Sequence, residues 1–232
     1  MSDATTMPFI KPIPETAKFD DIMYVGAFME LAIAMVTASA RRQIVMRYTG
    51  IKSQVATSLY RKIHQSDAVS GPVKQYRPKY FAPGIKSPRL SGLAWNLQGA
   101  TFLECYDTIA RSVEVKPHRG WLLLTAYYAY LKVTDKLARA ENAKRLDINQ
   151  AYSLLAFSGI NNVPEMAEVV RTSCKTCGAV YLVDTAYESY TQKCPVHAMS
   201  DHLLRLTHQA QSAKMMMNCT SQDTERLELH RA

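Results

Sequence analysis

Residues 38–64 read ASARRQIVMRYTGIKSQVATSLYRKIH, a stretch that predicts two helices joined by a short turn. An apolar-periodic helix ends around residues 48–51, and a second helix begins at Ser53, whose hydroxyl can serve as its N-cap. Gly50 suits the turn because a tight corner between helices needs a residue with positive φ. The stretch therefore predicts a helix-turn-helix.

The second helix of this stretch is expected to have one apolar and one polar face. The apolar face, which would pack on the preceding helix, is formed by Val55, Ala56, Leu59 and Ile63. The opposite face is formed by Gln54, Thr57, Ser58, Arg61 and His64, with Lys62 at its boundary.

The polar face carries the residue types that contact DNA. Gln and Arg read base edges in a major groove, whereas Lys, Ser and Thr hold phosphates. The DNA-binding residues that we predict are Arg41, Arg42, Arg47, Lys52, Gln54, Thr57, Ser58, Arg61 and Lys62. The alternative is an ordinary corner between two helices with a solvated basic face.

The charge distribution supports an anionic partner for the same stretch. The 232 residues contain 28 Lys and Arg against 20 Asp and Glu, a formal net charge of +8. Residues 1–37 carry −3, residues 38–90 carry +10 with Asp67 as their single acid, and residues 91–232 carry +1. A field this local indicates a nucleic acid or an anionic membrane surface, and its overlap with the predicted helix-turn-helix favours nucleic acid.

Composition and cysteine use limit the class and the compartment. Hydrophobic residues make up 47% and charged residues 21%, which excludes a disordered, collagen-like or disulfide-scaffold chain. The first residues lack a signal-peptide pattern, and no apolar run is long enough and uncharged enough for a membrane span. Five cysteines, two of them in a C-x-x-C pair, suit a reducing compartment. We expect a cytoplasmic protein without membrane contact.

The fold class expected is mainly α, with a helical domain that contains the helix-turn-helix and a small C-terminal zinc-ribbon-like module. Residues 31–36 are apolar on every side, which indicates a buried helix or a subunit interface. Further helices are expected at about 91–111, 119–140 and 147–158, the last with a capping box of Asp147 and Gln150 and a C-terminal Gly159. A final amphipathic helix is expected at about 198–209.

Four regions are predicted along the chain. Residues 1–21 form an N-terminal arm, and residues 22–162 form a helical DNA-binding and partner-binding region with a basic Pro-rich loop at 66–90. Residues 163–208 form the zinc-binding module, and residues 209–232 form a polar tail.

The most specific pattern in the chain is C-x2-C followed after sixteen residues by C-x2-H, formed by Cys174, Cys177, Cys194 and His197. Each pair can form a turn that directs two ligands at one ion, and Gly178 lets the first turn fold back. Segments 179–184 and 188–192 are β-prone and could form the hairpin that brings the pairs together. Three thiolates and one imidazole predict one structural Zn²⁺.

Other interpretations of the cysteines and histidines are weaker. A redox C-x-x-C motif normally accompanies a βαβ pattern, which the sequence lacks. A catalytic zinc needs an open coordination position and a ligand motif such as H-E-x-x-H, and the sequence has no such motif. His202 and His208 are alternative fourth ligands. Cys105 is expected in the core and Cys219 as a free thiol in the tail. The acids near the cysteines have no catalytic spacing, so we expect no enzyme.

The order of these features resembles the FlhC family of flagellar master transcriptional regulators. The resemblance covers about residues 25–200 and is carried by T-G-I-K-S…S-L-Y-R-K-I, the Pro-rich loop, I-N-Q-A-Y-S-L-L-A-F-S-G and S-C-K-T-C-G. It implies a transcriptional activator subunit that joins FlhD in a heterohexamer. That complex binds double-stranded promoter DNA and engages RNA polymerase to switch on flagellar operons.

The resemblance implies four cysteine ligands, and three of them match Cys174, Cys177 and Cys194. His197 stands where the last cysteine would be, an exchange that keeps a metal donor at nearly the same reach. The zinc module would brace the second half of the chain and contact DNA through Lys175, Lys193 and Arg205. The alternative function is a zinc-containing interaction or scaffold protein without sequence-specific DNA readout.

Overall fold

The computed structural model describes residues 12–67, 90–141, 145–160, 169–185, 194–198 and 200. Within these ranges the chain is mainly helical, as predicted, with one small antiparallel sheet. The helices are α1 (Val25–Thr37), α2 (Arg42–Thr49), α3 (Ser53–His64), α4 (Leu90–Ser112), α5 (Arg119–Glu141) and α6 (Ile148–Phe157). The strands are β1 (Val169–Ser173) and β2 (Val180–Asp184).

Three predicted regions lie largely or wholly outside the described residues. They are the basic loop at 66–90, apart from its ends, the helix at 198–209 beyond residue 200, and the polar tail at 209–232.

Helix α5 lies at the centre of the helical region. It packs against α1, α2, α4 and α6, and its side chains from Trp121 to Leu124 are buried. The Tyr130 hydroxyl, also inside, donates to Gln98 Oε1 at 2.7 Å and accepts the Leu146 N–H at 3.0 Å. Both hydrogen bonds are needed because a buried polar group without a partner costs about 1–3 kcal/mol. Helices α4 and α5 match their predicted ranges to within a residue at each end.

The all-apolar segment of α1 is buried mostly within the chain itself. Leu31, Ala32, Met35 and Val36 are fully covered by neighbouring elements, whereas Ile33 is 43% exposed. Burial is therefore confirmed for most of this segment, and Ile33 lies on the outer side of the helix.

The turn between α2 and α3 has the geometry that its glycine predicted. Helix α2 ends at Thr49, Gly50 has φ +71°, and Ile51 is buried beneath the turn. A Cβ built on Gly50 would lie 3.1 Å from the Phe19 Cβ, so the position is also crowded. The predicted N-cap at Ser53 is wrong, because Lys52 holds that position without a side-chain cap and Ser53 is the first helical residue.

The buried face of α3 matches the predicted face in part, because Ala56 is buried and Leu59 and Ile63 pack against the core as predicted. Ala56 and Tyr60 are buried, whereas Val55, predicted inside, is 39% exposed. His64, predicted on the polar face, lies half-buried with its Nε2 2.6 Å from the Val36 carbonyl oxygen of α1. The buried face is thus turned toward Tyr60, since packing the large phenol ring covers more apolar surface than packing Val55.

The termini of α6 confirm the predicted capping. The Asp147 carboxylate accepts the Gln150 N–H, and the Gln150 Oε1 accepts the Asp147 N–H, both at 2.9 Å. Gly159 has φ +72° just beyond the helix, as expected of a C-terminal glycine.

The described part of the predicted N-terminal arm packs on the helical region. Ile13 is buried, its carbonyl accepts the His118 N–H at 2.6 Å, and the Glu15 N–H donates to the Lys116 carbonyl at 3.0 Å. The His118 ring stacks edge-on against Phe28, with 5.2 Å between centroids, and burial lowers its pKa. Residues 12–19 therefore form part of the folded body.

We expect Gly50→Ala to lower the free energy of unfolding by about 1–2 kcal/mol, because alanine at positive φ is strained. The contact with Phe19 adds to the cost. Urea unfolding followed by tryptophan fluorescence measures the change. The matched control is Gly26→Ala in α1, where nothing lies within 4 Å and φ is helical. It should be neutral or slightly stabilising, and equal losses in both variants would contradict the role of the turn.

Candidate metal centre and basic helix surface

The first cysteine pair lies in the turn between the two strands. Strands β1 and β2 pair from Val169 opposite Asp184 to Ser173 opposite Val180. In the turn, the Cys174 N–H donates to the Ala179 carbonyl at 2.9 Å, and the Gly178 N–H donates to the Cys174 carbonyl at 2.8 Å. Gly178 has φ +71°, as its place in the pattern predicted. These bonds form a tight loop that carries Cys174 and Cys177 at the hairpin end.

Strand β2 pairs with a segment that the sequence analysis did not single out. Residues 180–184 pair with 169–173, which precede the first cysteine, so this hairpin encloses the first cysteine pair. The predicted hairpin joined 179–184 to 188–192, and residues 188–192 lie outside the described residues.

The second pair of donors lies on a short helical turn at residues 194–198. The Ala198 N–H donates to the Cys194 carbonyl at 3.0 Å, and Pro195 occupies the first helical position, where proline is favoured. Residues three apart in a helical turn lie on the same side. Cys194 and His197 are thereby directed at the hairpin end.

The four predicted ligands are brought together. Their donor atoms all lie within 4.8 Å of one another. Cys177 Sγ is 3.7 Å from Cys194 Sγ, and Cys174 Sγ is 3.5 Å from His197 Nδ1. In a tetrahedral site with metal–sulfur bonds of about 2.3 Å and metal–nitrogen bonds of about 2.0–2.1 Å, these separations are about 3.8 and about 3.6 Å. The four donors can therefore hold one metal ion.

The loop also favours a thiolate at one ligand. Backbone N–H groups of Cys177 and Thr176 donate to the Cys174 sulfur and lower the pKa of its thiol to about 6. The Ala179 N–H lowers the pKa of Cys177, but desolvation and the hydrogen bonds with Cys174 and Cys194 outweigh it, so that pKa is raised. The loop therefore favours the thiolate at Cys174 over that at Cys177, whereas a bound metal ion would favour the thiolate at both.

One asparagine ties the hairpin to the helical region. The Asn96 side chain on α4 donates from Nδ2 to the Leu182 carbonyl and accepts the Leu182 N–H at Oδ1, both at 2.8 Å. Leu182 is fully buried. Nearby, Arg171 of β1 donates to Glu104 at 3.0 Å and to Asp107 of the same helix. The metal ligands on the hairpin are therefore positioned by α4.

Asn96→Ala should destabilise the protein by about 1–3 kcal/mol, since two buried backbone groups of Leu182 lose their partner. It should also speed metal loss to a chelator, because the hairpin is then less firmly held. The control is Asn149→Ala, whose amide likewise bonds two backbone groups, those of Arg41 and Ser39, away from the hairpin. Metal loss from that variant should match the unsubstituted chain; equal acceleration in both would contradict the anchoring role.

We expect Cys174→Ser to abolish stoichiometric metal binding, because a neutral hydroxyl is a poor substitute for a thiolate. Elemental analysis of the purified chain should find about one metal ion for the unsubstituted protein and none for the variant. Cys105→Ser is the control, since this half-buried thiol packs against the core of the helical region. A full equivalent of metal in Cys174→Ser would refute the ligand set.

Several residues predicted to contact DNA lie together on α3. Gln54, Ser58, Arg61 and Lys62 recur at helical spacing and are exposed, and we refer to them as the α3 polar face. Lys52 is exposed just before the helix. Exposure and shared orientation leave these side chains available to one ligand surface.

Arg41, Arg42 and Thr57 are only partly exposed. Arg42 Nη1 donates to Thr57 Oγ1 at 3.4 Å, which joins α2 to α3. Thr57 in turn donates to the Ser53 carbonyl at 3.0 Å. The Arg41 N–H donates to Asn149 Oδ1 at 2.7 Å, so the start of α2 is tied to α6.

Two arginines have partners that the sequence analysis missed. Arg61 forms a 2.7 Å ion pair with Asp67, in which both side chains are well exposed. Arg47 donates to the Tyr152 hydroxyl at 2.8 Å and lies 5.9 Å from the centre of that ring, toward α6 and off the α3 polar face. The Arg61–Asp67 pair could have been predicted, because Asp67 is the single acid of residues 38–90 and lies six residues from Arg61. The contact of Arg47 with Tyr152 could not, because the two residues are far apart in the sequence.

Of the remaining predicted site residues, one lies within the described part of the chain. Lys175 is exposed in the hairpin loop. The others lie outside the described residues: Lys193, His202, Arg205, His208 and Cys219.

The chain matches no known protein family, and no curated protein is significantly similar to it. Among the described helices, none combines the length and the hydropathy that a bilayer crossing requires.

Proposed function

We propose that this protein is a DNA-binding transcriptional activator subunit that acts with FlhD at flagellar promoters. The observation that carries the proposal is the α3 polar face, an exposed helix surface with two cations in the most basic stretch of the chain. In this proposal α2, the Gly50 turn and α3 act as a helix-turn-helix, with α3 as the helix that enters the major groove.

The contacts around α3 support this assignment of roles. Tyr60 and Ala56 hold the helix to its neighbours, so the opposite face is presented on a rigid element. Arg61 and Gln54 have the hydrogen-bonding groups to read base edges, and Lys62 and Lys52 can neutralise phosphates. Phosphate contacts by Arg41 and Arg42 would extend the surface onto α2.

We further propose that the metal is Zn²⁺ and that its role is structural. Three thiolates and an imidazole form the closed, soft donor set that zinc prefers. Bound there, zinc would cross-link the hairpin to the 194–198 turn and stabilise the fold rather than supply a catalytic position. In this proposal the protein is not an enzyme.

The partners follow from the resemblance to the FlhC family rather than from contacts in the structure. They are FlhD, in a heterohexamer, double-stranded promoter DNA and RNA polymerase. The proposed setting is the cytoplasm, where promoter DNA and a reduced C-x-x-C pair occur together.

A second candidate is an interaction or scaffold protein without sequence-specific readout. Two of the predicted DNA-contacting arginines are already engaged, Arg61 with Asp67 and Arg47 with Tyr152. If those contacts persisted in the complex, the basic stretch would serve as solvated surface.

Arg61→Ala should weaken binding to a flagellar promoter fragment by roughly 1–3 kcal/mol if the side chain reads a base. Mobility-shift titrations of the co-expressed complex with FlhD measure the change. The log of the affinity should fall with log salt at a slope of about −0.9 for each phosphate neutralised.

The matched control is Lys132→Ala, which removes an exposed cation from α5. Its affinity should stay near that of the unsubstituted chain. Equal loss on promoter and unrelated DNA would make Arg61 a phosphate contact, and a flat salt response would exclude DNA binding in favour of the scaffold function.

A further inference from the structure

The outer side of α1 carries apolar side chains that nothing in the described chain covers. Ile22 is 89% exposed and Met23 81% exposed, at a turn that leads into α1. The Val25 N–H donates to the Asp21 carbonyl at 3.1 Å, so the helical path already begins at this turn. Such exposure of two adjacent large apolar residues is costly in water and marks an interaction site when it is part of a larger patch.

The patch continues along the helix at helical spacing. Ile22, Gly26 and Ile33 are spaced four and seven residues apart and lie exposed on one side of α1. Met29 lies on the same side but is half-buried against the core. We call this set the α1 stripe. Gly26 is exposed and has nothing within 4 Å of a built Cβ, so a second helix could approach the backbone closely there.

The charges beside the α1 stripe are acidic. Asp20 and Asp21 lie at its N-terminal end and Glu30 lies along its length, all exposed. Lys18 is the single base in residues 12–37, against four acids. The fourth acid, Glu15, is engaged elsewhere, with Lys116 at 2.7 Å.

This acidic rim decides between two occupants. In a symmetric dimer, the same surface patch of both copies forms the interface. A dimer through the α1 stripe would therefore place the acidic residues of one copy against those of the other, and they would repel. A different protein with an apolar ridge flanked by Lys or Arg would match both the shape and the charge.

We propose that the α1 stripe is the docking surface for a helix of a different protein, with an apolar ridge and basic flanks. The docking surface is defined by residues of α1 and of the turn before it; the proposal rests on the proposed function only in that FlhD is the partner used in one arm of the test. The α3 polar face and the α1 stripe would then serve two partners, DNA and protein.

The first arm of the test uses two synthetic helical peptides, about 20 residues long so that they can be helical in water. They share one Leu/Ala ridge and carry either Lys or Glu on its flanks. The Lys-flanked peptide should bind the full chain at least about tenfold more tightly than the Glu-flanked one, since like charges across an interface are penalised.

Substitutions locate the binding site. Ile22→Glu should abolish binding of the Lys-flanked peptide, whereas Val133→Glu, which changes an equally branched exposed residue on α5, should leave it unchanged. Glu30→Lys should weaken the preference for the Lys-flanked peptide, because it lowers the acidic charge of the rim. Three outcomes would each overturn the proposal. The first is an equal effect of Ile22→Glu and Val133→Glu on peptide binding, and the second is equal binding of the two peptides. The third is a dimer of the chain that Ile22→Glu dissociates.

The second arm co-expresses the chain with FlhD. Loss of the complex in Ile22→Glu and its retention in Val133→Glu would support the α1 stripe as the interface, and a complex intact in both would overturn it. If the unsubstituted chain forms no complex with FlhD, the proposed function fails at its partner, and the peptide arm still decides the inference.

Discussion

Burial of α5 is the constraint on which the helical region depends. A helix with side chains buried on most of its sides needs neighbours around it, and α1, α2, α4 and α6 provide them. The same burial encloses the Tyr130 hydroxyl, which is tolerated because Gln98 and the Leu146 backbone satisfy it. The positions of α2 and α4 around α5 in turn place the two candidate sites.

The metal centre shows how a local motif depends on a distant helix. The hairpin loop sets the Cys174–Cys177 geometry through its own backbone bonds. A two-stranded hairpin is marginally stable by itself, so it must be supported by packing. Asn96 supplies that support by bonding both backbone groups of Leu182, and Arg171 adds ion pairs to the same helix. A bound metal ion would then join the 194–198 turn to a hairpin that is already positioned.

Charge is segregated over the first three helices. The α1 stripe has an acidic rim, whereas the exposed side of α3 is basic. His64 of α3 contacts the Val36 carbonyl oxygen of α1. Opposite charges on separate faces of one small unit allow two partners of opposite charge to bind without competing for the same residues. The pairing of Arg61 with Asp67 is an exposed ion pair, a kind that contributes roughly 0–1 kcal/mol and that a phosphate can readily displace.

The sequence by itself determined the features that depend on near neighbours. The capping box of α6, the positive φ of Gly50 and Gly178, and the extents of α4 and α5 were predictable, because short-range hydrogen bonds and steric limits set them. The spacing within each pair of metal ligands was also readable from the sequence, whereas the meeting of the two pairs depends on tertiary structure. Tertiary packing alone decided that Tyr60 rather than Val55 faces inward, that β2 pairs with residues 169–173, and that Asn96 holds a strand 86 residues away. Those outcomes depend on which segments, distant in the sequence, pack together and bury the most apolar area. A local sequence pattern contains no information about that packing.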